Sequence, residues 1–179
     1  MGKTNVNKKT SFIALLGVLS AEALALSFLE NLIPAIPGLP PGAKPGFSNI
    51  VTMFTANAFG FPSALAITVL KSVFAFLSRG ATASFMSFAG GLLSTIVMVL
   101  LLKWKKNPFG IMGVSVMSAI AHNAGQLIVA CIISGTPALI WGYGPLLLLF
   151  AVVTGAITGT ILRIVMPALE KQKKALGIS

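Results

Sequence analysis

The chain has 179 residues, of which 56% are hydrophobic and only 9% are charged, and its mean hydropathy is +0.95. So few polar side chains cannot cover a water-soluble globule, which excludes a soluble enzyme and predicts an all-α integral membrane protein. The formal net charge of +10 does not indicate nucleic-acid binding, because the basic residues lie at the chain ends and in short links rather than in a patch with aromatic residues.

Six apolar runs separated by Gly, Pro and Lys predict a bundle of six transmembrane helices, at 11–33, 47–59, 63–77, 84–104, 110–134 and 138–165. The first run is longer than the hydrophobic part of a signal peptide, so we expect it to remain as the first span. A spanning helix needs about 20 apolar residues, and six of them leave a single membrane domain over 1–179 with short cytoplasmic tails at 1–10 and 168–179. The second and third runs are short, and with only Gly60, Phe61 and Pro62 between them they are alternatively one kinked helix.

The distribution of basic residues decides between these counts. With six spans, ten basic residues lie on the side of both termini, against Lys44 and Arg79 opposite, whereas five spans give eight against four. The positive-inside rule therefore predicts six spans with both termini cytoplasmic. The ten residues are Lys3, Lys8, Lys9, Lys103, Lys105, Lys106, Arg163, Lys171, Lys173 and Lys174.

The first external link, at 34–46, reads PAIPGLPPGAKPG and contains five of the ten prolines. Proline restricts the backbone, so we expect a stiff, preshaped segment without helix or strand. It is either a simple connector or a cover over a ligand.

Small residues recur four apart on two of the predicted helices. The first helix has Gly17, Ala21 and Ala25, and the last has Gly155 and Gly159. Such spacing allows helix backbones to approach closely in lipid. It serves either packing within the bundle or docking of another membrane subunit.

Strongly polar side chains at bilayer depth each need a reason, since a Lys or Asp costs about 2.5 to 3.5 kcal/mol there. The densest group is on the fifth helix, where His122 and Gln126 share a face and Asn123 lies about 100° around it. These donors and acceptors suit the orientation of a polar ligand in a mostly apolar pocket. Hydrogen bonds between helices are the alternative.

Two further charged groups lie in the predicted spans. Lys71 and Glu22 either neutralise each other or face a polar cavity. Arg79 is interpreted as an anchor at the membrane surface, with an outer anion site as the alternative. With so few fixed charges, we expect a largely neutral or amphipathic ligand rather than a multiply charged one.

The chain lacks the residues that several kinds of catalysis and ligand binding require. The chain contains no Asp, its only acids are Glu22, Glu30 and Glu170, and no nucleotide-binding Gly-rich loop is present. His122 is the single histidine and Cys131 the single cysteine, which is too few for a catalytic triad or a metal site. We therefore predict a binding protein, without catalytic activity, cofactor or metal.

Four segments carry a resemblance to a known family: PAIPGLPPGAKPGFSNIVTMF, FGFPSALAITVLKSVFAFLSRG, FMSFAGGLLS and AIAHNAGQLIVA. They resemble the substrate-binding S components of energy-coupling factor (ECF) transporters, and within them the group labelled Gx transporter or heptaprenyl diphosphate synthase component I. The resemblance extends over 11–165.

The resemblance implies a multi-pass protein of the bacterial cytoplasmic membrane that works with a transmembrane scaffold subunit and two cytoplasmic ATPases. Ala21 and Ala25 match the Ala-x-x-x-Ala face by which the first helix of the family docks on the scaffold, and Gly17 extends that face. The expected ligand is a small vitamin-like, flavin-like or isoprenoid-related nutrient. An accessory role in polyprenyl diphosphate synthesis is the alternative.

The family's pocket opens outward beneath the first external loop. The residues expected to bind the substrate are His122, Asn123, Gln126, Lys71, Asn57, Lys44 and Trp141, with Pro40 near them.

Overall fold

The computed structural model describes residues 8–33, 46–104 and 109–175. Within these ranges the regular structure is entirely helical. The helices are α1 Lys8–Leu32, α2 Ser48–Phe59, α3 Phe61–Arg79, α4 Ala81–Leu102, α5 Gly110–Ser134 and α6 Ala138–Ala175. The predicted all-α architecture is confirmed, and the observed bounds of α5 are those of the predicted span.

The second and third apolar runs form two helices rather than one kinked helix. Gly60 ends α2 with a φ of 81°, and its N–H donates to the Ala56 carbonyl at 3.0 Å. Pro62 then lies in the first turn of α3, where the missing N–H of a proline leaves no helix hydrogen bond unmade. The glycine and the proline therefore end one helix and start the next.

Helix α2 is short for a membrane span. Its 12 residues extend about 18 Å, against a hydrocarbon core of about 30 Å. The other five helices of the described ranges are long and apolar enough to cross a membrane. A sixth crossing by α2 stays a prediction.

Helix α2 nevertheless runs along most of α1. At its start the Ser48 N–H donates to Glu30 Oε1 at 3.2 Å, near the end of α1. At its other end the Phe59 ring packs edge-on against Phe12, near the start of α1, with 5.3 Å between ring centroids. Most of α2 is buried, and it contacts α1, α3, α4 and α6. Helix α2 is therefore largely enclosed by other helices and exposes little surface to lipid.

The start of α1 and the end of α6 lie at the same end of the bundle. Ser11 and Gln172 line one groove there, and Lys173 Nζ donates to the Ala58 carbonyl at 3.2 Å. We call this the terminal end. The last helix continues to Ala175, beyond the predicted boundary at 165, because the Ala, Leu, Glu, Lys and Gln residues of that segment favour helix. That both termini are cytoplasmic stays a prediction.

Candidate functional site

The polar side chains of α5 face other helices rather than lipid. Gln126 Nε2 lies 3.1 Å from His122 Nε2, one turn earlier on the same face. Asn123 donates from Nδ2 to the Leu147 carbonyl of α6 at 3.1 Å. His122 and Gln126 therefore share one face of α5, as their spacing predicts. Asn123 makes a hydrogen bond between helices.

Two glycines allow α5 to approach α4 closely at this level. A Cβ on Gly90 would lie 2.8 Å from the His122 carbonyl oxygen, and a Cβ on Gly125 would lie 2.7 Å from that of Ala89. The Gly90 backbone also lies beside the imidazole ring, but His122 Nδ1 is buried and makes no hydrogen bond to the described residues. These contacts hold the imidazole and the Gln126 amide against the backbone of α4.

A second polar group joins α1, α2 and α3. Lys71 Nζ donates to Asn49 Oδ1 at 2.8 Å, and Glu30 accepts the N–H of Ser48, the first residue of α2. Lys71 is only 8% exposed and Glu30 4%. Glu22 is exposed on α1, so the carboxylate that attracts Lys71 is that of Glu30 rather than Glu22. Burial of an ammonium is tolerated here because an amide oxygen and a carboxylate accompany it.

The two polar groups line two small cavities with volumes of about 20 and 40 Å³. Both cavities are lined by Gly46, Asn49, His122 and Asn123. The smaller extends to Ile50, Met53, Ser115, Ser118, Ala119, Thr154 and Thr158. The larger extends to Ser27, Glu30, Ser48, Lys71, Arg79, Ser87 and Gln126. A water molecule needs a cavity of about 10 to 15 Å³, so the two cavities hold water or a very small solute. A vitamin-sized ligand requires helices or loops to move.

The expected substrate-binding residues divide into three sets. Lys71, His122, Asn123 and Gln126 lie together at the larger cavity. Asn57 and Trp141 are not among the residues that line either cavity. Lys44 lies outside the described residues, as does Pro40.

Asn57 and Trp141 lie away from the cavities for different reasons. Asn57 is near the end of α2 that approaches the terminal end, and its amide lies 4.0 Å from the Met166 sulfur. Trp141 is 84% exposed on α6, as is common for a tryptophan at a membrane interface.

Three cavity residues, Glu30, Asn49 and Arg79, were not expected to bind substrate. Their chemistry is visible in the sequence, since each is polar and near the end of an apolar run. What the sequence lacks is the rotation of each helix, which points Glu30 inward while Glu22 faces outward. Arg79, expected to be a surface anchor, is exposed but also lines the larger cavity.

The two stripes of small residues differ in their surroundings. On α1, Gly17, Ala21 and Ala25 are exposed, and a Cβ on Gly17 would meet no atom within 4 Å. On α6, Gly155 and Gly159 are buried against α5, where a Cβ on Gly155 would lie 2.6 Å from the Val116 Cα. The stripe on α6 therefore packs within the bundle, whereas the stripe on α1 packs against no other helix in the part of the chain that the structure describes.

Within the described ranges, no three His, Cys, Asp or Glu side chains lie together in a group able to hold a metal ion.

Comparisons with known proteins agree with this geometry. The family model for heptaprenyl diphosphate synthase component I matches residues 19–165. A solved structure described as the S component of a bacterial ECF transporter has the same fold, with a TM-score of 0.64 and 17% sequence identity over 88% of this chain and 96% of that chain. A comparison with curated proteins gives no match.

Proposed function

We propose that this chain, which belongs to the heptaprenyl diphosphate synthase component I family, is the substrate-binding membrane subunit of an ECF-type importer. The observation that carries the proposal is the pair of adjoining polar cavities inside an apolar bundle with the fold of an S component. Intramembrane ionisable and amide groups around a cavity are typical of solute sites. The solute is a small nutrient, vitamin-like, flavin-like or isoprenoid-related.

The placement of the cavities supports uptake from outside the cell. Glu30 and Arg79 lie at the end of the bundle opposite the terminal end, where α1 and α3 finish. The terminal end carries Lys171, Lys173 and Lys174 at the end of α6, and Arg163 lies on the same helix toward that end. By the positive-inside rule the terminal end faces the cytoplasm of a bacterial cell, and the cavities lie toward the outside.

The exposed face of α1 supports association with a scaffold subunit and, through it, with two cytoplasmic ATPases. Gly17, Ala21 and Ala25 leave a shallow surface on which another helix can approach closely. Glu22 is exposed beside this stripe, and a carboxylate at this depth is more stable against a donor on a partner than against lipid. An apolar groove of about 540 Å³, lined by Ala14 and Val18 of α1, continues the same surface toward the terminal end.

The alternative is a non-catalytic accessory subunit of polyprenyl diphosphate synthesis, which the family's description suggests. The cavities favour the binding subunit, because an accessory subunit does not require buried Lys71 or an imidazole held at a cavity wall. The two roles predict different partners and different small molecules.

The test is to purify the chain in lipid nanodiscs from its host and identify any retained small molecule by mass spectrometry. We expect a specific compound in the wild-type protein and its loss in the double variant His122→Ala/Gln126→Ala. Ser134→Ala, at the exposed end of the same helix, is the matched control and retains the compound. An empty wild-type protein that also fails to associate with an ECF scaffold and its ATPases would reject the proposal. A chain that instead alters product length when added to a soluble polyprenyl synthase would establish the alternative.

A further inference from the structure

The larger cavity has an excess of positive charge and of hydrogen-bond donors. We propose that the solute of the binding subunit inferred above carries a single negative charge, on a carboxylate or a similar group, which lies between Lys71 and Arg79. The inference rests on the proposed function, and it replaces the expectation of a largely neutral ligand.

The charges of the described lining residues leave one positive charge in excess. Lys71 and Arg79 are cationic, Glu30 is the one carboxylate, and the three line the same cavity. Glu30 acts electrostatically on both cations. Lys71 and Glu30 are buried and opposite in charge, so the excess positive charge falls at Arg79, whose side chain is exposed. A solute carboxylate at this point gains charge-assisted hydrogen bonds from the guanidinium.

The hydrogen-bonding groups show the same imbalance. An ammonium has three N–H donors, and among the described residues Lys71 donates to one acceptor, Asn49 Oδ1. The guanidinium of Arg79 has five donors and makes no hydrogen bond to the described part of the chain, and one of the acceptor sites of Glu30 is occupied by the Ser48 N–H. The missing partner is therefore a group that only accepts, which a carboxylate is.

The imidazole adds a further donor to the wall. The Gln126 amide nitrogen donates to His122 Nε2, so a neutral ring carries its proton on Nδ1. Nδ1 is buried and makes no well-formed hydrogen bond to the described residues, although the Gly90 backbone lies beside the ring. His122 lines both cavities, so it connects the charged part of the larger cavity to the hydroxyl-lined smaller one. A solute with an acidic group at one end and hydroxyl or carbonyl groups at the other matches both.

The preferred charge of the solute follows from the net charge of the cavity's described lining residues. Counted over the described lining residues alone, a neutral solute leaves one positive charge, a monoanion leaves none, and a dianion such as a phosphate monoester leaves one negative charge beside Glu30. Because opposite charges favour binding and like charges oppose it, the monoanion is the preferred class.

The experiment uses three probes small enough for the cavity: acetate, its neutral isostere acetamide, and inorganic phosphate at slightly alkaline pH, where the dianion predominates. The thermal unfolding of the full chain in nanodiscs of neutral lipid is measured at fixed ionic strength. We expect saturating acetate to raise the unfolding temperature by about 2 to 4 °C, and acetamide and phosphate to leave it unchanged. Lys71→Met and Arg79→Gln each weaken the apparent acetate affinity about 10-fold or more.

The matched control is Lys103→Met, which removes an exposed cation after the end of α4 and leaves the acetate response as in wild type. Arg79 is exposed, so Arg79→Gln tests the site even where Lys71→Met lowers the stability. An equal response to acetamide, a response to phosphate without one to acetate, a response unchanged in both variants, or no response to any probe would each overturn the inference.

The test of the anion site can fail or succeed independently of the test of the proposed function. A retained nutrient that is neutral would leave the binding subunit in place and reject the anion. An acetate response with the expected variants, in a chain that neither retains a nutrient nor associates with a scaffold, would establish the anion site and reject the importer.

Discussion

Lys71 Nζ donates a 2.8 Å hydrogen bond to Asn49 Oδ1 and thereby joins the middle of α3 to the first turn of α2. This contact explains how a lysine that is 8% exposed is accommodated in an apolar bundle. It also holds the start of the short α2 at the cavity wall, beside Glu30. The packing of α2 and the chemistry of the cavity therefore depend on the same pair.

Asn49→Leu is expected to lower the free energy of unfolding by about 1 to 3 kcal/mol, because it leaves the Lys71 ammonium without its amide acceptor. The double variant Asn49→Leu/Lys71→Met should recover part of that loss, since it removes both polar partners. Chemical denaturation in mixed micelles measures the cycle. Additive losses in the double variant would show that the hydrogen bond contributes no coupling.

Gly125→Ala is expected to destabilise the bundle by about 1 to 3 kcal/mol, because its Cβ would lie 2.7 Å from the Ala89 carbonyl oxygen and force α4 and α5 apart. Gly17→Ala is the control, since a Cβ there meets nothing within 4 Å. It should be neutral or stabilising by up to about 1 kcal/mol through helix propensity. Thermal unfolding of the two variants compares them, and equal effects would contradict the close α4–α5 contact.

Ala21→Trp and Ala25→Trp are each expected to abolish co-purification with the ECF scaffold and its ATPases while leaving solute binding unchanged. A bulky ring on this exposed face prevents close helix approach. Ile132→Trp places the same ring on α5, at a position that is 73% exposed, and should assemble normally. Normal assembly of both α1 variants would mean that the docking face lies elsewhere.

His122→Ala is expected to weaken solute binding by about 10-fold or more, because it removes a polar group from the wall of both cavities. Equilibrium binding of the co-purified compound measures the affinity, and thermal unfolding measures stability in parallel. If the imidazole only stabilises the bundle, stability falls and the affinity of the remaining folded protein does not change.

The sequence alone was sufficient for the order and approximate positions of the helices, because these follow from local signals, whereas α6 extends ten residues beyond its predicted end. The apolar run at 110–134 became α5 without change, and Gly60 and Pro62 separated α2 from α3 as residue conformation requires. The grouping of His122 with Gln126 also followed from spacing, since residues four apart on a helix share a face whatever surrounds it.

The tertiary structure decided which face of each helix meets which neighbour. Small residues four apart predicted close helix contact on both α1 and α6, yet among the described residues only Gly155 and Gly159 pack against another helix of the chain. Likewise Glu30 rather than Glu22 lies with Lys71, and Asn57 and Trp141 lie away from the cavities. Spacing along a helix defines a stripe, but the rotation and tilt of that helix come from the simultaneous packing of all its neighbours, which no single segment encodes.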